Sequence, residues 1–295
     1  MADHPRRDRL ADSSVAQGTR PATSTRYHYP SSVLVLLPPS EGKTAPTTGA
    51  PVDLTALSSP LLTTHRRRVL GALVRVSASP AAMSVLRVGP SLAGEVARNV
   101  GLRTAPTAPA RAVYTGVLYG AARLDDLPDD AARERSDRCV RTISALWGVV
   151  GPADLIPAYR LSTGTDLPGV GPLAASWRRP LGRALDAHAA RRLVVDCRSA
   201  TYAAAWSVPA TAAGHVTVAV LREADGRRTI VSHSAKHTRG LFTRHLVTRA
   251  GSEPRTPTDL LDVAGELVGT TLVDVALQDR GARGHVLVLV VRAPG

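Results

Sequence analysis

Five consecutive apolar residues, Val33 to Leu37, end at Pro38-Pro39. This pattern predicts a buried strand running into a loop. Over 61–77 apolar positions return at helical spacing, with Leu62, Val69, Leu73 and Val76 on one side and Arg66, Arg67 and Arg68 on the flank. Residues 80–98 predict two short helices broken at Val88-Gly89-Pro90-Ser91, and 103–111 a loop rich in Thr, Ala and Pro. A short charged helix is expected over 131–138 and a strand over 139–147. The stretch 151–172 carries four Pro and four Gly and predicts a long irregular segment, the kind that tends to carry function. Helix is expected over 173–190 and a buried strand over 193–197. Strands over 216–221 and 228–232 flank Asp225-Gly226, a hairpin signal. An amphipathic basic helix over 241–249 follows, then a helix over 258–268 opened by Thr256-Pro257-Thr258, and strands over 273–277 and 285–291. Helices and strands mixed in this way, with at least one antiparallel hairpin, give a mixed α/β (α+β) fold in one domain spanning 31–295. Residues 1–30 hold no apolar run and are expected to be a disordered tail rather than a secretory signal.

Composition adds a partner. Net charge is +13 and the isoelectric point about 10.9, which favours a polyanion, nucleic acid before membrane. No apolar run approaches the ~18 residues of a membrane-crossing helix, so no membrane partner and a cytoplasmic location are expected. Cys139 and Cys197 are too few for a disulfide framework; lying in apolar, strand-like runs, they predict buried free thiols.

Two of the 37 basic residues are lysines, Lys43 and Lys236; every other one is Arg. Where coding bias favours Arg, a retained Lys marks a position needing a compact ammonium that can lose its proton and act as a nucleophile. Lys43 sits in Ser40-Glu41-Gly42-Lys43-Thr44 after the first strand. The triphosphate-binding loop would need Gly at 37, where this chain has Leu, and the two prolines remove donors, so Ser40 and Lys43 are expected to line a site at a strand end. Lys236 lies between His233 and His237; with no nearby acid or Cys to complete a ligand set, neither a metal nor another cofactor is expected. Asp196, Ser199 and Tyr202 follow a buried strand, the usual place for site residues in α/β folds. The helix, Gly-containing turn and helix around Gly89 have the form of a helix-hairpin-helix, which holds DNA by its backbone, with Arg87, Gly89, Ser91 and Arg98 as candidate contacts.

In order along the chain, Leu34 to Thr44, Val113-Tyr114-Thr115-Gly116, Ser144-Ala145-Leu146-Trp147-Gly148, Ile156-Pro157-Ala158-Tyr159-Arg160-Leu161, Val194-Val195-Asp196-Cys197-Arg198-Ser199 and the segment from Lys236 to Gly240 resemble the YaaA family of peroxide-stress proteins. The resemblance implies a single mixed α/β domain with a basic cleft, a helix-hairpin-helix falling near Gly89, and binding to duplex DNA. The family's motif residues would be Ser40, Lys43, Tyr114, Thr115, Asp154, Tyr159, Arg160, Asp196, Ser199, Tyr202, Lys236 and Gly240. The chain departs from the pattern at Gly151, where the family commonly has Arg, at Ser234 and Ala235, and at Cys197, in place of an aliphatic residue.

Two function classes follow, with a scaffold or partner-binding protein as a third. The first is a DNA-binding protein that protects DNA in peroxide stress. The second is an enzyme cleaving an N-glycosidic bond or an abasic site in DNA or a nucleotide. In it Lys236, desolvated and with Lys43 or His233 nearby, attacks carbon; Asp196 positions or deprotonates; and Tyr114, Tyr159 and Arg160 hold a base or phosphate, with Arg239 alongside. An enzyme requires Lys43, Tyr114, Asp196 and Lys236 to converge in one pocket.

Overall fold

Strand β1 (Val33–Leu37) is buried along its whole length, as a strand flanked by parallel neighbours and covered on both faces must be. The computed structural model describes residues 1, 33–224, 226–230 and 233–292. Apart from Met1, the expected tail over 1–30 lies outside the described residues, as do Asp225 of the hairpin turn, Val231, Ser232 and the side chains of Ile230, His233 and Ser234. Helix α1 (Thr63–Ser77) buries Val69, Leu70, Leu73 and Val76, each contributing roughly 1.5–3 kcal/mol. Helices α2 (Ala82–Leu86) and α3 (Ala93–Arg98) flank the turn at 87–89. Strand β2 (Ala108–Pro109) and helices α4 (Ala110–Val113) and α5 (Val117–Ala122) follow where a loop was expected or no element was foreseen. Helix α6 (Asp130–Cys139) leads into β3 (Val140–Ser144) and β4 (Gly148–Val150).

The segment 151–172 is mostly irregular, with β5 (Leu155–Ile156), β6 (Asp166–Leu167) and β7 (Gly171–Pro172) as two-residue strands. Then come α7 (Leu173–Ala189), β8 (Leu193–Asp196), α8 (Ala200–Ala203), β9 (Gly214–Ala224) and β10 (Arg227–Ile230). Helix α9 (His233–Thr248) starts eight residues before the position its apolar pattern predicts. Helix α10 (Pro257–Gly265) opens as expected at Thr256, through a capping box with Asp259. Strands β11 (Asp274–Asp279) and β12 (His285–Arg292) close the described chain.

The large sheet runs β11-β12-β9-β8-β1-β3-β4, with β10 also paired to β9. The four central pairings, β12/β9, β9/β8, β8/β1 and β1/β3, are parallel. Antiparallel pairs lie at the margins: β3/β4, β11/β12 and β9/β10. The fold is therefore mixed α/β with a mostly parallel sheet. The chain leaves β1 for β3 on one side and later enters β8 on the other, so the carboxyl ends of β1 and β8 flank a topological switch point, where α/β sheets place ligands. Among the described residues no helix is long and apolar enough to cross a membrane.

Two local expectations need correction. Arg66 belongs to the buried side of α1 rather than its flank: it is fully buried, and its guanidinium donates to the carbonyls of Trp147 (2.9 Å), Val149 (2.8 Å) and Ser58 (2.6 Å). Burial pushes it down to about 10. Cys139 ends α6 instead of lying in a strand, though both cysteines are free and buried as expected. The expected break between the two short helices is present; its left-handed residue is Arg87 (φ 54°), while Gly89 has an ordinary φ of −78°.

Candidate functional site

The loop after β1 is stitched to the residues before α5. Ser40 Oγ accepts from the Thr115 amide (3.0 Å) and donates to the Gly42 carbonyl (2.6 Å). The Thr44 amide donates to the Val113 carbonyl (3.0 Å), and Lys43 and Tyr114 face each other as a β-bridge. Gly116, at φ 90°, turns the chain into α5 in a conformation that favours glycine. Tyr119 anchors the first loop from α5, donating to the Pro38 carbonyl (2.9 Å).

These segments, the start of α9, the turn after β8 and the chain around Arg160 enclose a cavity of about 490 Å³. Both lysines line it, with Ser40, Thr115, Arg160, Ser199, Tyr202 and Arg239 from the expected set. Among the described residues Glu41 is the one carboxylate in the lining, against four basic side chains.

Lys43 is the half-buried lysine and Lys236 the exposed one, the reverse of the expectation that Lys236 is desolvated. Lys43 Nζ donates to the Ser40 carbonyl (2.7 Å) and lies 4.3 Å from the centre of the Tyr159 ring and 5.7 Å from that of Tyr114. Burial, then the Arg160 charge, push its ammonium down to about 7 against the opposing pull of Glu95 and Glu41. A cation over two phenol faces keeps some stabilisation, but carbonyls and rings cannot replace the water it has lost.

Beneath Lys43 lies a buried hydroxyl cluster. Tyr114 and Tyr159 share a hydrogen bond (3.1 Å), Ser144 Oγ bonds Tyr159 (2.7 Å), and Ser144 Oγ also accepts from the Trp147 amide (3.0 Å). Burial holds both tyrosines above the usual phenol range, so they remain neutral beside the lysine.

Arg160 forms the rim. Its guanidinium reaches Glu95 of α3 (3.5 Å) and Glu41 (3.7 Å). Asn99 clamps its backbone, donating to the Arg160 carbonyl (2.9 Å) and accepting from its amide (2.8 Å). The α2–α3 hairpin is thereby tied to the cavity. Asn99 and Glu95 were not foreseen, yet Asn99 is the sole Asn in the chain, the same compositional signal that marked the lysines.

The segments that wall this cavity all lie inside a match to the family model of peroxide stress protein YaaA, over residues 33–265. The chain belongs to the YaaA family. A UPF0246 protein of Streptomyces coelicolor is 45% identical over 237 residues, covering 80% of this chain and 90% of that protein. A UPF0246 protein of Corynebacterium efficiens is 40% identical over 235 residues, covering 79% and 91%. Membership in the YaaA family supports a peroxide-stress-related protein.

The remaining YaaA motif residues take other places. Tyr114 and Tyr159 sit behind Lys43. Asp196 does not line the cavity: its carboxylate accepts from Arg198 Nε (2.9 Å) and Nη2 (2.7 Å) and from His215 Nε2 (3.3 Å). Burial pushes that carboxyl up, but the Arg198 and His215 hydrogen bonds and the Arg198 charge outweigh it and hold it well below the usual range. Asp154 accepts from the Ser58 amide (2.8 Å), the Ser58 hydroxyl (2.9 Å) and the Gly151 amide (2.8 Å), also away from the cavity. Gly240 permits close packing: a Cβ there would lie 2.2 Å from the Leu118 carbonyl oxygen. Only glycine lets α9 approach α5 closely enough for Lys236 and Arg239 to reach the cavity. Arg87, Gly89, Ser91 and Arg98 are exposed on the hairpin and do not line the cavity.

Proposed function

We propose that this YaaA-family protein acts on DNA in peroxide stress, holding duplex at the α2–α3 hairpin and presenting a damaged nucleotide to Lys43. The observation that carries the reading is Lys43 itself: a half-buried amine brought down to about 7, inside a cavity it shares with three other basic side chains. At neutral pH a large fraction of such a lysine is unprotonated and nucleophilic. Its lone pair adds to the C1′ aldehyde carbon of an abasic sugar; loss of water gives an imine, which permits strand cleavage by elimination. Arg160, Lys236 and Arg239 hold the flanking phosphates. Asp196, locked by Arg198, leaves the proton transfers to Lys43 and the substrate.

The hairpin supports the DNA half of the reading. A Cβ at Gly89 would meet nothing within 4 Å, so the turn is open to a backbone approach, and the exposed Arg87 and Arg98 flank it. The Glu95–Arg160 pair and the Asn99 clamp join this hairpin to the cavity rim. That connection also favours a second reading, a DNA binder without chemistry, in which the same surface grips phosphates alone.

The test is incubation with labelled intact and abasic duplex followed by borohydride. The proposal expects a covalent adduct with abasic duplex alone, absent in Lys43→Ala and retained in Lys236→Ala. A shifted duplex that never crosslinks supports the binder. Duplex affinity that does not fall with added salt removes both readings.

A further inference from the structure

The cations that line the cavity are not equivalent. Arg160 is flanked by Glu95 at 3.5 Å and Glu41 at 3.7 Å, and the charges acting on Lys43 are those of Arg160, Glu95 and Glu41. That end of the cavity is nearly balanced. Lys236 and Arg239, three residues apart on α9, have no carboxylate within 4.0 Å among the described residues. Arg239 spends Nε and Nη2 on the Val218 carbonyl (3.0 and 2.7 Å), which leaves Nη1 without a protein acceptor among those residues. Gly240 brings this uncompensated pair to the cavity wall at the cost of a helix contact no other residue tolerates.

The remaining wall is of a different kind. Pro39, Leu118 and Leu161 supply apolar surface, and Tyr202 with Ser162 and Ser199 supplies a ring and hydroxyls. A volume of about 490 Å³ is far more than one phosphate fills, and it lies within the ~300–1,000 Å³ of small-molecule sites. An amphipathic ligand is required: an anionic end, a middle with hydrogen-bonding groups, and a planar part that accepts apolar contact.

We propose that the cavity binds a nucleoside 5′-monophosphate unit, with its phosphate on Lys236 and Arg239 and its base against Tyr202 and the apolar wall. The assignment rests on the reading of this cavity as the functional site. It adds a division of labour: the exposed lysine and Arg239 recognise phosphate, and Lys43 faces the sugar. The unit is supplied either as free mononucleotide or as a nucleotide turned out of a strand; the phosphate and base contacts are the same.

The test is calorimetric titration of the full chain with each of the four deoxynucleoside 5′-monophosphates, the matching nucleosides, inorganic phosphate and a single-stranded tetranucleotide. At least one monophosphate should bind tenfold or more tighter than its nucleoside and than inorganic phosphate. Lys236→Ala should weaken that monophosphate about tenfold to hundredfold, the range for a charge-assisted hydrogen bond, and leave the nucleoside unchanged. Lys236 is exposed, so this variant and Lys236→Glu keep the fold, which circular dichroism checks. Tetranucleotide binding tighter than mononucleotide assigns the in-strand source; the reverse assigns the free nucleotide. The proposal is overturned if no monophosphate binds, if every nucleoside binds as tightly as its monophosphate, or if Lys236→Glu changes nothing. Borohydride trapping on abasic duplex is scored separately. Trapping without mononucleotide binding refutes this subsite and leaves Lys43 chemistry standing; binding without trapping does the opposite.

Discussion

Replacing Lys43 by Met should change how the protein's stability depends on pH. In the unfolded chain this lysine titrates near its ordinary 10.5; in the folded cavity it is brought down to about 7. Between those values the unfolded state binds more protons than the folded state, so this group makes unfolding costlier as pH rises. Below about 7 the folded protein carries the full penalty of a buried ammonium, and above 10.5 the penalty is gone. One pH unit inside the window corresponds to about 1.4 kcal/mol. From pH 7 to 9, with the group already half-deprotonated in the folded state at the start, the wild type should gain on the order of 2 kcal/mol from Lys43 alone. Met keeps an unbranched side chain of similar length and removes the charge. Urea denaturation of both proteins at pH 7 and pH 9 isolates the term as a difference of differences. Lys43→Met should be the more stable at pH 7, with the gap narrowing by about 2 kcal/mol at pH 9. Parallel pH slopes for the two proteins would refute the claim that Lys43 is desolvated.

Other substitutions probe the framework. Gly240→Ala places a Cβ against the Leu118 carbonyl and Ala121; forcing α9 from α5 should cost about 1–3 kcal/mol in urea denaturation and weaken ligand binding that depends on Lys236. Asn99→Ala leaves the Arg160 amide and carbonyl without partners, at roughly 1–3 kcal/mol per buried group; Asn99→Asp, which keeps the acceptor, should lose less. Cys139 and Cys197 are fully buried and burial pushes both thiols up to about 12, so neither offers thiolate to peroxide. Intact mass should be unchanged at both after brief exposure of the folded protein to peroxide, and both should react with a thiol reagent only after unfolding.

Elements whose packing follows from their own residues were legible in the sequence. The five apolar residues of β1, ended by two prolines, read as a buried strand, and the Thr256-Pro257 start of α10 was written in its cap. Helix α9 was half seen because Ser232 to Gly240 is polar and shows no apolar period; its first two turns are helical for reasons of packing against α5 at Gly240. The same limit applies to the lysines. Each sits in a polar motif, and nothing local says which is buried. Lys43 is buried against Tyr159 and Tyr114 and feels the Arg160 charge, and all three are distant in sequence. Asp196 ends a buried strand, and nothing in that pattern announces that the Arg two positions later folds back onto its carboxylate. Arg66 looked like one of three surface arginines; the Trp147 and Val149 carbonyls at β4 that accept from it have no signature of their own.

The central claim is that Lys43, not Lys236, forms the bond to DNA. Peptide mapping by mass spectrometry of the borohydride-reduced adduct between wild-type protein and abasic duplex tests it most directly. The account predicts the sugar remnant on the peptide that contains Lys43. A remnant on Lys236, or an unmodified Lys43 in a crosslinked protein, contradicts it.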